Sequence, residues 1–253
     1  MHIARHELLS KLESWLNASS FADYCPNGLQ VEGNPTISKI VTGVTASQAL
    51  IDAAIGKGAD TLLVHHGYFW KGENPTVTGM KLRRLRALLA NDINLIAYHL
   101  PLDAHATLGN NAVLGNALGL HDLVPVQTET PLGILYQGTT SPVKLDDFAV
   151  HVEEVVQRNL VACVRGGDHS ITKVAICTGG GQGFIEAACE AGADAFISGE
   201  ISEQTVHVAR ERGIHYLAAG HHATERFGVR ALGHAVAETF SVDVEFIDID
   251  SPA

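Results

Sequence analysis

KIVTGVTASQALIDAAIGKGADTLLVHH, residues 39–66, lies without a gap over KVAICTGGGQGFIEAACEAGADAFISGE, residues 173–200. The offset is a constant 134 and 8 of the 28 positions are identical, among them Lys39 with Lys173, Gln48 with Gln182, Ile51 with Ile185, and Gly58-Ala59-Asp60 with Gly192-Ala193-Asp194. Most other pairs set apolar against apolar, the mark of one supersecondary unit used twice. Each stretch reads strand, helix, turn, strand. In the first, residues 40–44 are a strand, 47–55 an amphipathic helix and 61–64 a strand; in the second these parts fall to 174–177, 184–190 and 195–197. The glycine after each helix suits a left-handed C-cap.

Both stretches continue into a further helix and strand, at 80–89 and 93–98 in the first and at 202–212 and 214–218 in the second. Two βαβαβ halves predict an internally duplicated α/β fold with mostly parallel sheets, and ligands beyond the carboxyl ends of the strands. The expected organisation is a first half over 1–125, a connecting α+β segment over 126–170 and a second half over 171–253. Within the connecting segment 133–137 reads as a strand, 144–159 as a helix with Phe148, Val152, Val155 and Val156 on its apolar side, and 161–164 as a strand. Residues 242–249 alternate enough for an edge strand, and the N-terminal helix is expected on the first half.

At 253 residues, 46% apolar and 18% charged, the chain has the make-up of a globular protein with a full core. Cys25, Cys163, Cys177 and Cys189 form no C-x-x-C pair, which argues against a cysteine zinc knuckle and for a reducing compartment, by default the cytoplasm. No apolar run is long enough to span a bilayer, so no membrane role is expected. A formal charge of −11 disfavours nucleic acid as a partner, because that binding rests on Lys and Arg neutralising phosphates. Neither a G-x-S-x-G elbow nor a G-x-x-x-x-G-K-[ST] loop is present, which disfavours serine hydrolases and P-loop NTPases.

The residues that carry chemistry sit at strand ends. His65-His66 closes the apolar run Thr61-Leu62-Leu63-Val64, and Asp103 and His221-x-x-x-Glu225 occupy similar positions further on. Buried imidazoles and carboxylates are costly unless paired or coordinated, so a divalent metal site is the leading reading of this set. Successive strand side chains point to opposite faces, so both histidines reach one site only if the backbone turns, and Gly67 is the expected source of that freedom. Read singly, Asp103 is rather a cap for the segment that follows, and His222 competes with its neighbour His221. His99 and His105 are candidates to orient ligands or move protons, with a structural or solvent role as the alternative for each. His207 and His215 remain open. Thr178-Gly179-Gly180-Gly181-Gln182-Gly183 is either a phosphate cradle or a tight turn, and Tyr24-Cys25-Pro26-Asn27-Gly28-Leu29-Gln30 either lines the mouth of a site or is a surface loop.

Four motifs together, His65-His66-Gly67, Leu100-Pro101-Leu102-Asp103 with Gly109-Asn110-Asn111, Ser198-Gly199-Glu200, and Gly220-His221-His222-Ala223-Thr224-Glu225, make the chain resemble the GTP cyclohydrolase I type 2-like, or Nif-three-like, family. The resemblance runs from Pro26 almost to the end. It implies a duplicated α/β fold, a dinuclear metal centre between the halves, and a toroidal homohexamer with sites facing an internal cavity. Carried over by residue, it implies that His66 and Asp103 hold one ion and His65 and His221 the other, with Glu225 bridging. Fe, Zn, Mn, Ni and Co all fit such nitrogen and oxygen donors.

The expected function is hydrolysis of a small-molecule substrate, a nucleotide or related heterocycle on the strength of the resemblance. The nucleophile would be metal-bound hydroxide, with His99 or His105 assisting proton transfer. The alternative is a non-catalytic metal protein, a chaperone, sensor or partner-binding protein.

Overall fold

Strand Thr61–His66 is apolar on both faces, with Leu62, Leu63 and Val64 fully buried, as a central parallel strand covered by helices must be. The computed structural model, which describes residues 1–127 and 131–253, sets it at the centre of a five-stranded sheet. The order across that sheet is Asp243–Phe246, Lys39–Thr45, Thr61–His66, Asn94–Ala97, Gly28–Val31. All pairings are parallel except the last. Ile40 stands opposite Thr61 and Thr61 opposite Asn94. Helix Gln48–Gly56 starts where the Ser47 side chain accepts from the Leu50 N–H, and Gly58 beyond its end takes φ 65, the left-handed turn expected of it. Leu50, Ile51 and Ala54 on this helix pack with Leu62, Val64 and Leu88 in the core, each such side chain contributing about 1.5–3 kcal/mol for the larger residues.

A second sheet has six strands in the order His121–Pro125, Tyr136–Val143, Ile171–Cys177, Ala195–Ser198, His215–Ala218, Ala162–Val164. Its three middle strands are parallel and its flanking strands antiparallel. Val174 stands opposite Ala195, a separation of 21 residues, as between Ile40 and Thr61. Its core gathers Leu145, Phe148, Val152 and Val156 from helix Leu145–Val156 against Val174, Ile176 and Ile197.

One hydrogen-bonded latch occurs in each sheet. Asp60 Oδ2 accepts from Ser38 N (2.8 Å), Ser38 Oγ (2.7 Å) and Lys39 N (3.2 Å). Asp194 Oδ2 accepts from Thr172 N (2.8 Å), Thr172 Oγ1 (2.7 Å) and Lys173 N (2.8 Å). Burial would raise the Asp194 carboxyl, but these bonds outweigh it and hold its pKa below the ordinary value. Each latch fixes the turn before the second strand to the start of the first, which sets the shared register.

The chain divides into two units: Met1–Leu102 with Gly228–Asp250, and Asp103–Phe227 with Ser251–Ala253. The boundaries expected after residues 125 and 170 therefore both fall inside the second unit. Residues 126–170 are not a separate connector, because their strands and helix complete the six-stranded sheet and its core; within them, 128–130 lie outside the described residues. The C-terminal strand Asp243–Phe246 joins the first unit at the edge of its sheet.

Three local readings shift. The strand expected at 133–137 begins at Tyr136 and runs to Val143, because Gly133 turns at φ 93 against the Ala104 backbone. Gly28–Val31 is a strand although Pro26, Asn27 and Gly28 signal a turn. His121–Pro125 pairs only along one side and is largely exposed, so it lacks the alternation that marks a strand in sequence. Among the described residues no helix is long and apolar enough to cross a membrane.

Candidate metal centre

In the first unit His65 and His66 are the last two residues of the central strand, and His99 follows strand Asn94–Ala97 at the same end of the sheet. One nitrogen of each of the three rings lies within 4.8 Å of the others. Their outer nitrogens are anchored. His65, fully buried, has Nδ1 2.9 Å from the Tyr98 carbonyl. A carbonyl only accepts, so Nδ1 carries the proton and Nε2 keeps its lone pair, the tautomer a metal ligand needs. His66 Nδ1 lies 3.2 Å from Thr45 Oγ1.

His99 is held by a residue that sequence reasoning passed over. Its Nδ1 lies 2.7 Å from Asp23 Oδ1, and the Asp23 side chain is 2% exposed. Asp23 Oδ2 also accepts from Asn27 Nδ2 and the Leu100 N–H, while Asn27 Oδ1 accepts from the His99 N–H. Burial would raise the Asp23 carboxyl, yet the bonds from His99 and Asn27 outweigh it and hold its pKa below the ordinary value. Nearby Cys25 is pushed up to about 12, first by burial and then by Asp23. Asp23 stands 76 residues before His99 in a loop with no motif of its own, and only the fold brings them together.

Gly67 has a different reason from the one expected. It is not among the residues of positive φ; instead a Cβ there would lie 2.1 Å from Gln30 Oε1 and 2.7 Å from Ala97 Cβ. Close approach, not a left-handed turn, demands glycine.

The second unit supplies oxygen donors and one imidazole. Asp103, 5% exposed in the short helix Leu100–Ala104, and Glu225, 3% exposed, have carboxylate oxygens within 4.8 Å of each other. Two buried carboxylates so close repel unless a cation lies near. Asn110 Nδ2 donates to Asp103 Oδ1 at 2.8 Å, and Asn111, fully buried, donates to the backbone carbonyls of Asp103, Gly133 and Ile134 while accepting from Thr178 N. That accounts for the two asparagines in the motif: both hold the Asp103 segment.

Helix His221–Phe240 puts His221 and Glu225 one turn apart, with Nε2 3.2 Å from Glu225 Oε2. His221 Nδ1 faces Glu200 Oε1 at 2.7 Å, so Glu200 orients the ring and leaves Nε2 toward Glu225. Burial would lower the His221 pKa, but the bonds and charges of Glu225 and Glu200 prevail and raise it to about 9. Of the competing pair it is thus His221 that faces Glu225. Gly179, at φ 63, leaves the space Glu225 fills: a Cβ there would lie 2.0 Å from Glu225 Oε1. A Cβ on Gly181 would meet Cys177 Sγ at 2.3 Å, so close packing explains Gly179 and Gly181 in this turn.

The other histidines have local duties. His105 Nδ1 accepts from the N–H groups of Thr107 and Leu108. His215 is buried, stacks on His169 at 4.3 Å and accepts from Gly166 N. His207 is exposed on helix Glu203–Arg212.

Among the described residues, then, clusters of His, Asp and Glu stand ready to hold metal ions. Residues 3–252 match the family Duf34/NIF3 (NGG1p interacting factor 3), and the chain belongs to that family. The GTP cyclohydrolase 1 type 2 homolog of Pasteurella multocida is 54% identical over 247 residues, covering 98% of each chain. A solved structure described as protein ybgI, of unknown function, superimposes with a TM-score of 0.95 at 51% identity, over 99% of this chain and 100% of that one. TTHA1606 from Thermus thermophilus gives a TM-score of 0.91 at 34% identity, again over 99% and 100%.

Proposed function

We propose that this chain is a dinuclear metal-dependent hydrolase acting on a nucleotide or related heterocycle. His65, His66, Asp103 and His221 would hold two divalent cations, with Glu225 shared between them. The observation that carries the reading is the burial of Asp103 and Glu225 within 4.8 Å of each other in a cradle that Gly179 keeps open. The donor set fits: anchored imidazoles offer one nitrogen, carboxylates offer oxygen, and such mixed donors suit Fe, Zn, Mn, Ni or Co. When bound, a pair of cations lowers the pKa of a coordinated water toward ~7 and polarises the bond under attack.

The remaining work belongs to the chain's own groups. His65 is oriented by the Tyr98 carbonyl, His221 by Glu200 and His99 by Asp23. His99 is the proton-transfer residue we favour over His105, because one His99 nitrogen lies within 4.8 Å of nitrogens of His65 and His66. Asp23 acts through it as a positioning residue. The relatives' name, GTP cyclohydrolase 1 type 2 homolog, supports a nucleotide or similar heterocycle as the substrate class. We also infer that the halves arose by duplication, which the paired latches at Asp60 and Asp194 support. The toroidal homohexamer belongs to the same reading, and light scattering in solution tests it.

The decisive experiment loads metal-free protein with Mn, Fe, Co, Ni or Zn and follows turnover of nucleotides and phosphodiesters. Turnover should require metal and vanish in His65→Ala and Glu225→Ala. Turnover without metal, or surviving either substitution, overturns the mechanism. Two tightly held ions with no turnover on any substrate would instead favour a metal chaperone or sensor.

A further inference from the structure

The turn at Tyr24 and residues 67–71 are tied together more tightly than binding ions requires. Gln30 Nε2 donates to the carbonyls of Pro26 (2.8 Å) and Tyr68 (3.1 Å), and its Oε1 accepts from Tyr68 N (2.7 Å). Tyr68 Oη donates to the Ala46 carbonyl at 2.7 Å, and Lys71 N donates to the Tyr24 carbonyl at 2.6 Å. Trp70 is fixed twice, by its backbone N–H to Glu73 Oε2 and by its indole N–H to the Gly67 carbonyl. Within this mesh Phe69 takes φ 64, a conformation costly for a bulky side chain that persists only where its surroundings over-determine it.

The consequence is an aromatic surface in which the Trp70 ring is fixed. The Trp70 ring lies 4.9 Å from His99 at 84° and 5.9 Å from His66 at 58°. Tyr24, 61% exposed, also lies against His99, 6.3 Å away at 63°. With its indole N–H already bonded to Gly67, Trp70 has only its π system left to offer a ligand.

We propose that Trp70 and Tyr24 form a preset stacking wall that receives a planar heteroaromatic ring beside the imidazoles of the first unit. The proposal rests on the metal-site reading for its place in catalysis, but its geometry lies wholly within the first unit. A flat ring gains stacking here that a sugar or an aliphatic chain does not. Because the wall is held before any ligand arrives, little ordering is left to oppose binding.

The chain has two tryptophans, so Trp15→Phe leaves Trp70 as the sole indole reporter. On that background guanosine, adenosine and cytidine should quench Trp70 emission saturably, and ribose should not. In the otherwise native chain, Trp70→Leu should weaken nucleoside binding, followed by calorimetry, about 10- to 100-fold, with metal content unchanged; Trp70→Phe should restore most of it. Nucleosides that bind Trp70→Leu as tightly as the parent, or that never bind the parent, overturn the wall, as does ribose binding equally well. Nucleosides that stack on protein unable to take up metal would leave the wall standing and remove the metal reading instead.

Discussion

At the carboxyl end of its central strand the first unit carries His65 and His66; position for position, 134 residues on, the second carries Gly199 and Glu200. The scaffolds beneath are alike, with the same 21-residue register and the same aspartate latch. The ends differ because something different packs there. A Cβ at Gly199 would lie 2.6 Å from the Gly179 carbonyl and 2.6 Å from His221 Cα, both backbone atoms. In the second unit, then, the strand end is closed off by neighbouring backbone, and its imidazole, His221, stands at the start of the helix after the next strand. Glu200, at the place of His66, is hydrogen-bonded to that imidazole. On the proposed metal-site reading, one frame thus carries a donor in one unit and a residue that orients a donor in the other.

That contrast breaks most visibly in metal affinity. His66→Ala removes a donor and should lower the affinity of its ion by more than about 100-fold, whereas Glu200→Ala removes only an orienting partner and should cost about 10- to 100-fold. Competition against a fluorescent chelator measures both. Equal losses would mean that Glu200 is a donor after all, and the distinction between the two strand ends would go.

The next largest effect is in pH. Protonated His221 cannot bind a cation, and with its pKa raised to about 9, metal uptake at neutral pH must expel that proton. Affinity for the ion that His221 is proposed to hold should therefore fall as pH drops below 9, by about tenfold per unit. Since Glu200 helps hold the pKa up, Glu200→Ala should move the onset to lower pH. Proton release measured by calorimetry in buffers of different ionisation enthalpy reads this directly; release that is absent at pH 7 contradicts it.

Much of this architecture is visible in the sequence, and the reason is physical. The parallel strands are buried on both faces, so Leu62-Leu63-Val64 and Phe196-Ile197 appear as apolar runs, and each latch aspartate sits in a Gly-Ala-Asp turn. The five proposed metal ligands stand in short local motifs. What the sequence hides is which residues meet at long range: Asp23 with His99, Glu200 with His221, Asn111 with Thr178. Gly67 shows the other limit, since a glycine demanded by a neighbour's side chain looks the same in sequence as one demanded by its own φ. The place of Asp243–Phe246 in the first unit was hidden too, because an edge strand carries no mark of its partner.

Packing at the two strand ends can be tested without metal. Gly199→Ala drives a methyl group into the backbone of Gly179 and His221, and such overpacking should cost about 1–3 kcal/mol. Gly67→Ala meets first a glutamine amide, which can swing aside, and then the Ala97 methyl, so the same change should cost less there. Urea denaturation of metal-free protein compares them. A Gly67→Ala loss as large as that of Gly199→Ala would show that the Gln30 bonds to residues 67–71 are as rigid as backbone.

The smallest effect concerns how each first helix begins. Ser47 caps helix Gln48–Gly56 by accepting from the Leu50 N–H, while its counterpart Gly181 opens a 3-10 turn, Gly181–Phe184, with no side-chain cap. The second unit gives up the cap because Cys177 Sγ occupies the space a side chain would need. Ser47→Ala should therefore cost about 1 kcal/mol, and Ser47→Gly, which imitates the second unit, only a few tenths of a kcal/mol. If both substitutions shift the urea midpoint equally, the cap is not what distinguishes the two helix starts, and the difference must lie in the turn that precedes the second helix.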